Sequence, residues 1–582
     1  MGMLKIICSR VFALSFFILI MGFPPAISYA QLFVQRGTGE VLQQIERDRQ
    51  EQELMKKKET PQKPPVIEQE KEVPKKTPPL TGRKLFVKKF RIEGNTLLKP
   101  EVLYALIAPY EDKELAIEEI QDLANLITAQ YRDAGYIIVN AFVPAQEVQD
   151  RVVVIKVVEG KVGKISVTGN KRYSSSFIEK YLARINRDPS LKEEGLERSL
   201  LILNDNLSLN VSVSLKAGKE PGTTDVVATA TDKFPMSGRL FYDNYGSNIT
   251  NKNRAGFALD IGNILTDGDV VNLWGITGLD KISVNQLSYG RAEYNLPIWY
   301  NGTRAGIYYA NNLYQATGDL APLGFQGSSN IAGIYVSHPL IRTREATLSA
   351  KIGFDYKDIR EYALSDLMTT DRIRPISLGM SYDLTDMFLG RNFVNVTYYH
   401  GIKNFLNGTG KDDPNVSRLD ANGNFSKITA DAIRIQKLPG YNYLTLRASG
   451  QYSSDLLFLA EQFMLGGTGS VRGFNPAEAT GDIGYTGSIE LAVSPICPES
   501  TVYNQKIGDT IKFAFFADTG YVRRNSPLPG DNQQTYMTGI GSGIRLYAGK
   551  VLSFKLDYGI PKVGSSFETR KSITYVQGII SF

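Results

Sequence analysis

The chain has 582 residues, with 66 Lys and Arg against 60 Asp and Glu, and its formal net charge of +6 is too mild to indicate a nucleic-acid partner. Its two histidines, His338 and His400, leave almost no material for a zinc site or a His-based catalytic triad. The composition therefore disfavours an enzyme and predicts neither a metal nor another cofactor.

The first thirty residues have the pattern of a secretory signal peptide. Lys5 and Arg10 form a positive n-region, an apolar stretch follows, and small residues precede a cleavage point after Ala30. We therefore predict a signal peptide at 1–30 and a chain that leaves the cytoplasm. Of the two cysteines, Cys497 alone lies beyond this segment, so no intramolecular disulfide framework is expected.

Residues 31–83 are polar and divide into two parts. Residues 31–58 favour a helix but have too few apolar positions for a stripe that faces a core. Residues 59–83 contain six prolines among Lys, Glu and Gln, which is typical of an extended, semi-rigid linker. The pattern predicts a tethered helix, and a disordered tail is the alternative interpretation of 31–58.

Residues 84–235 indicate two copies of one α/β unit, at 84–160 and 161–235. The predicted order in the first copy is strand, helix, helix, strand, strand, at 85–92, 99–107, 115–134, 137–143 and 151–158. The second copy repeats this order. Each copy opens with a strand that runs into Gly-Asn, at Gly94 and at Gly169. A repeat of this kind predicts an internal duplication of a supersecondary unit.

From residue 236 onward the helical periodicity gives way to strict alternation. At 553–560, Phe554, Leu556 and Tyr558 fall on one face while Lys555 and Asp557 fall on the other. Gly, Asn and Asp turns separate such stretches. The alternation predicts two-faced antiparallel strands, which occur both in soluble sandwiches and in membrane barrels.

Three features favour the barrel. The signal peptide sends the chain to a compartment where such barrels occur. The region 236–582 is longer than the ~250–300 residues at which single soluble domains stop growing. The chain also ends on a predicted strand, 571–582, whose last residue is the aromatic Phe582. With ~9–11 residues per strand plus turns, the region accommodates about sixteen strands.

Two motifs stand out within this region. The glycine-rich stretch 465–474 lacks the Gly-Lys-Ser/Thr end of a phosphate-binding loop and has no βαβ context, so it does not predict a nucleotide site. Further along, Phe516, Asp518 and Gly520 are spaced two apart and share one face of a strand. Because Asp518 is charged, that face is expected to point into the lumen.

On these motifs the sequence resembles the two-partner secretion outer-membrane transporters, the TpsB family of the haemolysin-activator and filamentous-haemagglutinin-transporter type. The superfamily hallmarks are Val-Arg-Gly-Phe/Tyr on the sixth extracellular loop, here 471–474, and Phe-x-Asp-x-Gly on a later strand, here 516–520. The resemblance implies a transmembrane β-barrel of about 16 antiparallel strands, preceded by two α/β POTRA modules and an N-terminal helix. The barrel would lie in the bacterial outer membrane and the modules in the periplasm.

The resemblance also assigns roles to residues. Arg472 on an invaginated loop and Asp518 on the barrel wall would form a charge-assisted latch between loop and wall. The accompanying motif residues are Val471, Gly473, Phe474, Phe516 and Gly520. The segment 31–58 would plug the lumen at rest, and Phe582 would act as an assembly signal.

The implied function is export of one large partner protein, an adhesin or haemolysin type, bound by the POTRA modules through β-augmentation and passed unfolded through the barrel. Other expected partners are the barrel-assembly machinery, periplasmic chaperones and outer-membrane lipid. An assembly factor that inserts other barrels is the first alternative, although such relatives usually carry five or three modules. A passive porin or receptor is the second, and it has no use for POTRA modules.

Overall fold

The computed structural model describes residues 41, 43–47, 49, 67–69, 84–187, 190–247, 250–280, 287–317, 321–322, 324–411, 413–495, 498–502, 505–527, 532–564 and 571–582. The signal peptide predicted at 1–30 lies outside these residues, as do most of 31–58 and the linker 59–83 apart from 67–69. The residues described before 84 form a helix, α1, with 41, 43–47 and 49, and a short strand, β1, Ile67–Gln69. No helix in the described part of the chain is long and apolar enough to cross a membrane.

Module 1 is an α/β unit whose helices cover one sheet. Its elements are β2 (Lys84–Val87), β3 (Lys89–Glu93), α2 (Pro100–Ile107), β4 (Lys113–Ala116), α3 (Ile117–Asp133), β5 (Val139–Phe142) and β6 (Val152–Glu159). The sheet order is β3-β6-β5, with β3 parallel to β6, and β2 pairs with β4 separately. The helix predicted at 115–134 begins two residues later, because Leu115 and Ala116 pair with β2 as part of β4.

Module 2 repeats this plan with one added strand. Its elements are β7 (Lys161–Thr168), α4 (Ser175–Leu182), α5 (Glu193–Asn204), β8 (Leu209–Ala217) and β9 (Thr223–Asp232). The sheet order is β1-β8-β9-β7, so a strand from the region before module 1 joins the sheet of module 2. Helix α4 begins at Ser175 because the Ser174 hydroxyl accepts a hydrogen bond from the Phe177 N–H at 3.1 Å.

The duplicated Gly-Asn has a common structural reason. Gly94 and Gly169 have φ values of 89° and 82°, in the left-handed region that favours glycine. In each module a Cβ at this glycine would overlap a backbone carbonyl of the parallel partner strand, at Val157 in module 1 and at Ala230 in module 2. The turn that leads from β3 to α2 in module 1, and from β7 to α4 in module 2, therefore requires a glycine.

Residues 236–582 form one closed antiparallel barrel. Its strands are β10 (Met236–Asp243), β11 (Arg254–Gly262), β12 (Val270–Gly278), β13 (Leu287–Pro297), β14 (Arg304–Gln315), β15 (Gln326–Arg342), β16 (Ala346–Ala363), β17 (Asp366–Ile373), β18 (Pro375–Thr385), β19 (Gly390–Gly401), β20 (Ser426–Lys437), β21 (Tyr443–Tyr452), β24 (Ile483–Val493), β27 (Ile511–Arg523), β28 (Gln534–Ala548), β29 (Leu552–Val563) and β30 (Ile573–Ser581). Two of these seventeen segments, β17 and β18, both pair with β16 and form one strand that is interrupted at Arg374. The barrel therefore has sixteen strands.

The predicted barrel is therefore confirmed, and its closure involves the C-terminus. Strand β30 pairs with β10, and Phe582 and Gly238 exchange two backbone hydrogen bonds of 2.9 Å. The short strands β22 (Phe463–Leu465) and β23 (Ala479–Gly481) form a hairpin inside the 453–482 loop. The short strands β25 (Thr501–Val502) and β26 (Gln505–Lys506) and the helix α6 (Ile507–Thr510) lie in one strand connection.

The alternation predicted for the barrel strands separates an outer from an inner face. On β27, Phe513 and Phe515 are exposed, whereas Phe516 and Asp518 are buried. Large apolar side chains are exposed on the outer face of other strands too, as at Ile334 and Leu378. Such a surface suits a lipid environment and would be unstable in water.

Module 2 packs against one end of the barrel, here called the near end. The Tyr300 ring of the turn after β13 lies 5.4 Å from the ring centre of Tyr181 on α4, in an edge-to-face contact. Arg342 at the end of β15 forms an ion pair of 2.7 Å with Asp205. Ser174 hydrogen bonds to Asp267 in the turn after β11. These contacts place module 2 beneath the near-end opening of the barrel.

Candidate functional site in the barrel lumen

The 453–482 loop folds into the lumen instead of extending away from the barrel. Its apolar side chains, including Leu465, Val471 and Phe474, are buried together with Val522 and Met537 of the barrel wall. A loop that buries its own side chains against the inner wall occupies space that a channel would need. The loop is therefore the first candidate element for controlling passage.

Arg472 attaches the tip of this loop to the wall. Its Nε lies 2.7 Å from Asp518 Oδ2 and its Nη2 lies 2.9 Å from Asp518 Oδ1, so the pair is bidentate. The backbone N–H of Arg472 donates to the same carboxylate at 3.1 Å. Both side chains are buried. The structure thus brings together the two residues that the motifs singled out.

Three further charged residues surround this pair. Glu490 accepts from Arg472 Nη1 at 2.7 Å, and Asp557 lies 3.4 Å from the same nitrogen. Arg545 bridges Glu490 and Asp557 at 3.0 and 2.6 Å. The Arg472 guanidinium also lies 3.4 Å from the centre of the Phe516 ring, a cation–π distance. The burial of Arg472 lowers its pKa, but the hydrogen-bonded Asp518 outweighs this and raises the pKa above its usual range, so Arg472 stays charged.

The wall provides room for the tip through residues without side chains. A Cβ at Gly520 would overlap Leu465, and Cβ atoms at Gly539 and Gly559 would overlap the backbone of 472–473. Gly473 itself has φ of 99°, which a residue with a side chain rarely adopts. The close approach of loop and wall therefore depends on glycines on both surfaces.

Backbone contacts complete this seat. The Tyr575 hydroxyl accepts from the Gly473 N–H at 3.0 Å and donates to the Phe474 carbonyl at 2.8 Å. All the motif residues singled out on the loop and on β27 thus lie within one contact region. Sequence patterns did not identify Glu490, Arg545 and Tyr575 as members of this region, although the alternation along 553–560 already placed Asp557 on a polar face.

A second anchor holds the root of the loop. Glu461 is buried and forms ion pairs of 2.7 Å with Lys357 on β16 and with Lys427 on β20. Burial raises the pKa of Glu461, but the two lysines outweigh it and lower the pKa to about 2. The carboxylate is therefore charged at neutral pH. The loop is fixed to different parts of the wall, at its root by Glu461 and at its tip by Arg472.

Helix α1 lies inside the barrel against the inner wall. Ile45 is 1% exposed and belongs to one apolar cluster with wall residues such as Trp274 and Tyr289. The Tyr289 hydroxyl donates to Glu46, and Arg291 lies 3.6 Å from the same carboxylate. Gln44 donates to the Tyr245 carbonyl at 2.6 Å. A mainly polar helix can remain in this position because polar wall groups meet it.

The same helix also contacts the 453–482 loop. Gln43 donates to the Ala460 carbonyl, and Arg47 donates to the Met464 carbonyl at 3.2 Å. The Arg47 guanidinium lies 5.2 Å from the centre of the Phe463 ring. Helix and loop therefore occupy the lumen as neighbours in direct contact, with the helix between the loop root and the wall.

A cavity of about 1470 Å³ extends from the near end toward the loop tip. It is lined by more basic than acidic side chains, among them Arg239, Arg391 and Lys512, and it reaches Thr468 of the loop. Phe582 lies at the same end, with its ring where a Cβ of Gly238 would be. The lumen is thus open toward the modules and occupied farther in by the loop and α1.

Residues 222–546 match the protein family described as haemolysin secretion/activation protein ShlB/FhaC/HecB, and residues 85–160 match the POTRA domain of ShlB type. The heme/hemopexin transporter protein HuxB of Haemophilus influenzae is 26% identical over 439 residues, which cover 73% of this chain and 76% of HuxB. The outer membrane transporter CdiB of Escherichia coli is 23% identical over 487 residues, 82% of this chain and 79% of CdiB.

Solved structures show the same fold. CdiB from Escherichia coli matches with a TM-score of 0.73 and 20% identity over 95% of this chain and 100% of that chain. BamA from Haemophilus ducreyi lacking POTRA domains 1–3 matches with a TM-score of 0.51 and 14% identity over 85% of this chain and 100% of that chain. The fold is therefore that of an outer-membrane β-barrel that carries POTRA modules.

The match at 222–546 spans more than half of the chain, and the chain belongs to the haemolysin secretion/activation family. It is an outer-membrane transporter of the two-partner secretion type, with its POTRA modules in the periplasm. The near end of the barrel therefore faces the periplasm, and the opposite end faces the cell exterior.

Proposed function

We propose that this protein binds one large exported protein through its POTRA modules and passes it, unfolded, through the barrel to the cell surface. The observation that supports this most directly is that two separable elements, α1 and the 453–482 loop, fill a sixteen-stranded lumen through non-covalent contacts. A barrel of this size leaves an aqueous channel when nothing fills it. Passage then requires that both elements move.

In this proposal the segment 31–58 is the resting plug. Its described residues contact the wall through Glu46 and Gln44 and the loop through Gln43 and Arg47. Water could replace each of these polar contacts when the helix leaves. The apolar cost of leaving is the lost packing of the buried Val41 and Ile45 side chains against the wall.

The Arg472–Asp518 pair is the latch of the loop in the same proposal. It fixes the loop without a covalent bond, and its release would free the space next to β27. The assembly signal Phe582 acts earlier, when the barrel-assembly machinery and periplasmic chaperones insert the barrel into the lipid. No step of this cycle is catalytic, so the protein acts as a conduit that needs no cofactor.

The exported partner is an adhesin or haemolysin type of exoprotein. The names of the relatives fit a transporter: HuxB is a heme/hemopexin transporter protein and CdiB is an outer membrane transporter. An assembly factor for other barrels would also have this fold, as BamA does. The two POTRA modules and the lumen helix favour the transporter, because both serve a channel that opens for one substrate.

The plug can be tested by deleting residues 31–58 and measuring single-channel conductance in planar bilayers. We expect the deletion to raise the open-channel conductance, because α1 no longer fills the space between the loop and the wall. Arg391→Ala is a matched control, since it removes a lumen arginine that is ion-paired with the wall residue Asp383 at 2.9 Å. Unchanged conductance after the deletion would mean that 31–58 is not a plug.

A further inference from the structure

The connection between β19 and β20 lies at the exterior end of the barrel. Leu389, which directly precedes β19, lines the near-end cavity, so β19 runs away from the periplasm and ends at Gly401 on the exterior side. The structure describes this connection at 402–411 and 413–425. Residues 413–425, here called the exit lid, form neither a helix nor a strand. Their position is set by side-chain contacts instead of a ladder.

Two consecutive residues of the exit lid reach distant parts of the barrel. The Ser417 N–H donates to the Asp371 carboxylate on β17 at 2.9 Å. Arg418 donates to the carbonyl of Asn525, in the connection that follows β27. Along the wall, the strand formed by β17 and β18 is separated from β27 by β19, β20, β21 and β24. Neighbouring residues can meet both anchors only if the exit lid crosses the mouth of the barrel.

Arg418 clamps the exit lid to the 453–482 loop. Its Nη1 lies 2.5 Å from Asp482 Oδ1, and the Asp482 side chain is 0% exposed. The same nitrogen donates to the Leu457 carbonyl at 3.2 Å. Asp482 also accepts from the backbone N–H groups of Leu457 at 2.9 Å and Asn525 at 2.7 Å. One buried carboxylate therefore joins the exit lid, both ends of the 453–482 loop and the connection after β27.

Apolar side chains seal the exit lid onto the contents of the lumen. Ala421 and Phe425 are both buried, and they belong to the same apolar cluster as Phe458 of the loop and Ile45 of α1. The Phe425 ring lies 6.3 Å from the Phe458 ring, in an edge-to-face contact. The lumen is thus covered on its exterior side, whereas the near-end cavity is open toward the modules.

The segment that leads into the exit lid has an unfavourable backbone conformation. Asn404, Leu406 and Asn407 have φ values of 58°, 46° and 59°, which residues with side chains adopt only when their surroundings enforce them. The buried Arg374 provides this restraint, since its Nε donates to the Leu406 carbonyl at 3.1 Å and its Nη2 lies 2.8 Å from Asp358. A strained base therefore carries a lid that one arginine clamps near its middle.

We propose that the exit lid is a gate at the exterior mouth, closed at rest by the Arg418–Asp482 pair. The inference rests on the proposed function and adds its last step, because a chain that has passed α1 and the 453–482 loop meets the exit lid before it reaches the exterior. Since Asp482 ends the loop that carries Arg472, movement of that loop disturbs the clamp from inside. The gate thus opens for a chain in the lumen and stays closed to solutes outside.

Cysteine labelling from the exterior tests the clamp. In a Cys497→Ser background, Ala421→Cys places a thiol where the native side chain is 1% exposed, so a membrane-impermeant maleimide should react only when the lid opens. Arg418→Ala should raise the labelling rate about a hundredfold, because it removes one partner of a buried ion pair. Arg434→Ala breaks an ion pair of 2.5 Å with Asp386 at the near end and should leave the rate unchanged. A wild-type rate in Arg418→Ala would overturn the clamp.

A disulfide tests whether the lid must move during export. The Leu459 N–H donates to the Ser417 hydroxyl at 3.2 Å, so Ser417→Cys and Leu459→Cys should form a disulfide in the Cys497→Ser background. Failure of this disulfide to form would contradict the docked position of the lid. Oxidation should reduce export at least tenfold, measured on the proteins that disappear from the medium when the chain is deleted, and a reductant should restore it. The single-cysteine proteins are the controls, and full export by the oxidised protein would overturn the gate.

Conductance separates a failure of this inference from a failure of the proposed function. Deletion of 31–58 combined with Arg418→Ala should lengthen the open time of the channel beyond that of the deletion alone, because plug and lid are then both released. If Arg418→Ala raises the labelling of Ala421→Cys but the combined variant conducts like wild type, the plug has failed and the gate stands. If the deletion alone raises conductance, and neither Arg418→Ala nor the disulfide changes open time or export, the gate fails and the proposed function stands.

Discussion

Arg472→Ala should release the 453–482 loop from the wall while the barrel stays inserted. The substitution removes the donor of bonds of 2.7 and 2.9 Å to Asp518 and of 2.7 Å to Glu490. Removing one partner of a buried ion pair costs about 3–5 kcal/mol. Because Arg545 remains beside Glu490 and Asp557, the cost of the substitution should lie at the lower end of this range, at about 3 kcal/mol. At about 1.4 kcal/mol per factor of ten, the ratio of undocked to docked loop should rise roughly a hundredfold.

Cysteine labelling measures this ratio directly. Ser470 lies next to the tip and is 6% exposed, so a cysteine at this position should react with a maleimide only when the loop undocks. In a Cys497→Ser background we expect Arg472→Ala to raise the labelling rate about a hundredfold and to impair export of the partner. Arg391→Ala, which breaks an ion pair with Asp383 elsewhere in the lumen, should leave the rate unchanged. An unchanged labelling rate in Arg472→Ala, or normal export by that variant, would refute the latch.

Two further predictions concern the groups that hold α1 and the loop root. Burial raises the pKa of Glu46, but Arg49, Arg291 and the Tyr289 hydroxyl lower it from 4.5 to about 2. The charged Glu46 therefore contributes fully to helix docking above pH 4.5, and this contribution is lost as the pH falls toward 2. Channel opening should accordingly increase from pH 5 to pH 3. The Glu46→Gln variant should show a flatter response to pH. Glu461→Gln leaves the half-buried Lys357 and the buried Lys427 without their carboxylate and should destabilise the docked loop root by about 3–5 kcal/mol. The measurement is protease cleavage within 453–482 from the outer side, which should be faster in this variant. Cleavage at the wild-type rate would contradict this role.

The architecture could be predicted well from the sequence because the alternation of side chains between the two faces of a strand is a local property. Alternation along β27 and β29 identified which side chains face inward without knowledge of their neighbours. The duplicated modules were likewise visible, since Gly94 and Gly169 recur where the backbone needs a positive φ. Strand β1 could not be predicted, because three residues between prolines carry no periodicity and their partner lies more than a hundred residues away.

The lumen site was predicted only in part, for a related reason. The alternation along a strand shows on which face each side chain lies. It does not show how high the residue lies along the barrel axis or which residue lies across the lumen from it. Arg472 and Asp518 were found through motifs, whereas the pairing of Glu461 with Lys357 and Lys427 joins the loop root to two distant strands. Such pairings depend on how the barrel closes and on the path that the loop takes. A local sequence pattern contains neither kind of information.

The two elements in the lumen are held by different kinds of contact. The helix α1 is held by single hydrogen bonds, by the Glu46–Arg291 pair and by the buried Ile45 side chain, which packs against the wall. The loop tip is held by Arg472 within a buried cluster of charged groups, and removal of one partner from such a cluster costs about 3–5 kcal/mol.

In the proposed function, a partner that enters from the periplasm reaches the near-end cavity before it reaches the loop tip. Departure of α1 would remove the donors Gln43 and Arg47 from the carbonyls of Ala460 and Met464. The Arg472–Asp518 pair would still hold the loop tip at that point. Release of the tip would then require polar groups of the substrate that compete for Asp518 and Glu490 inside the lumen. We therefore expect the latch to open after α1 has left the lumen.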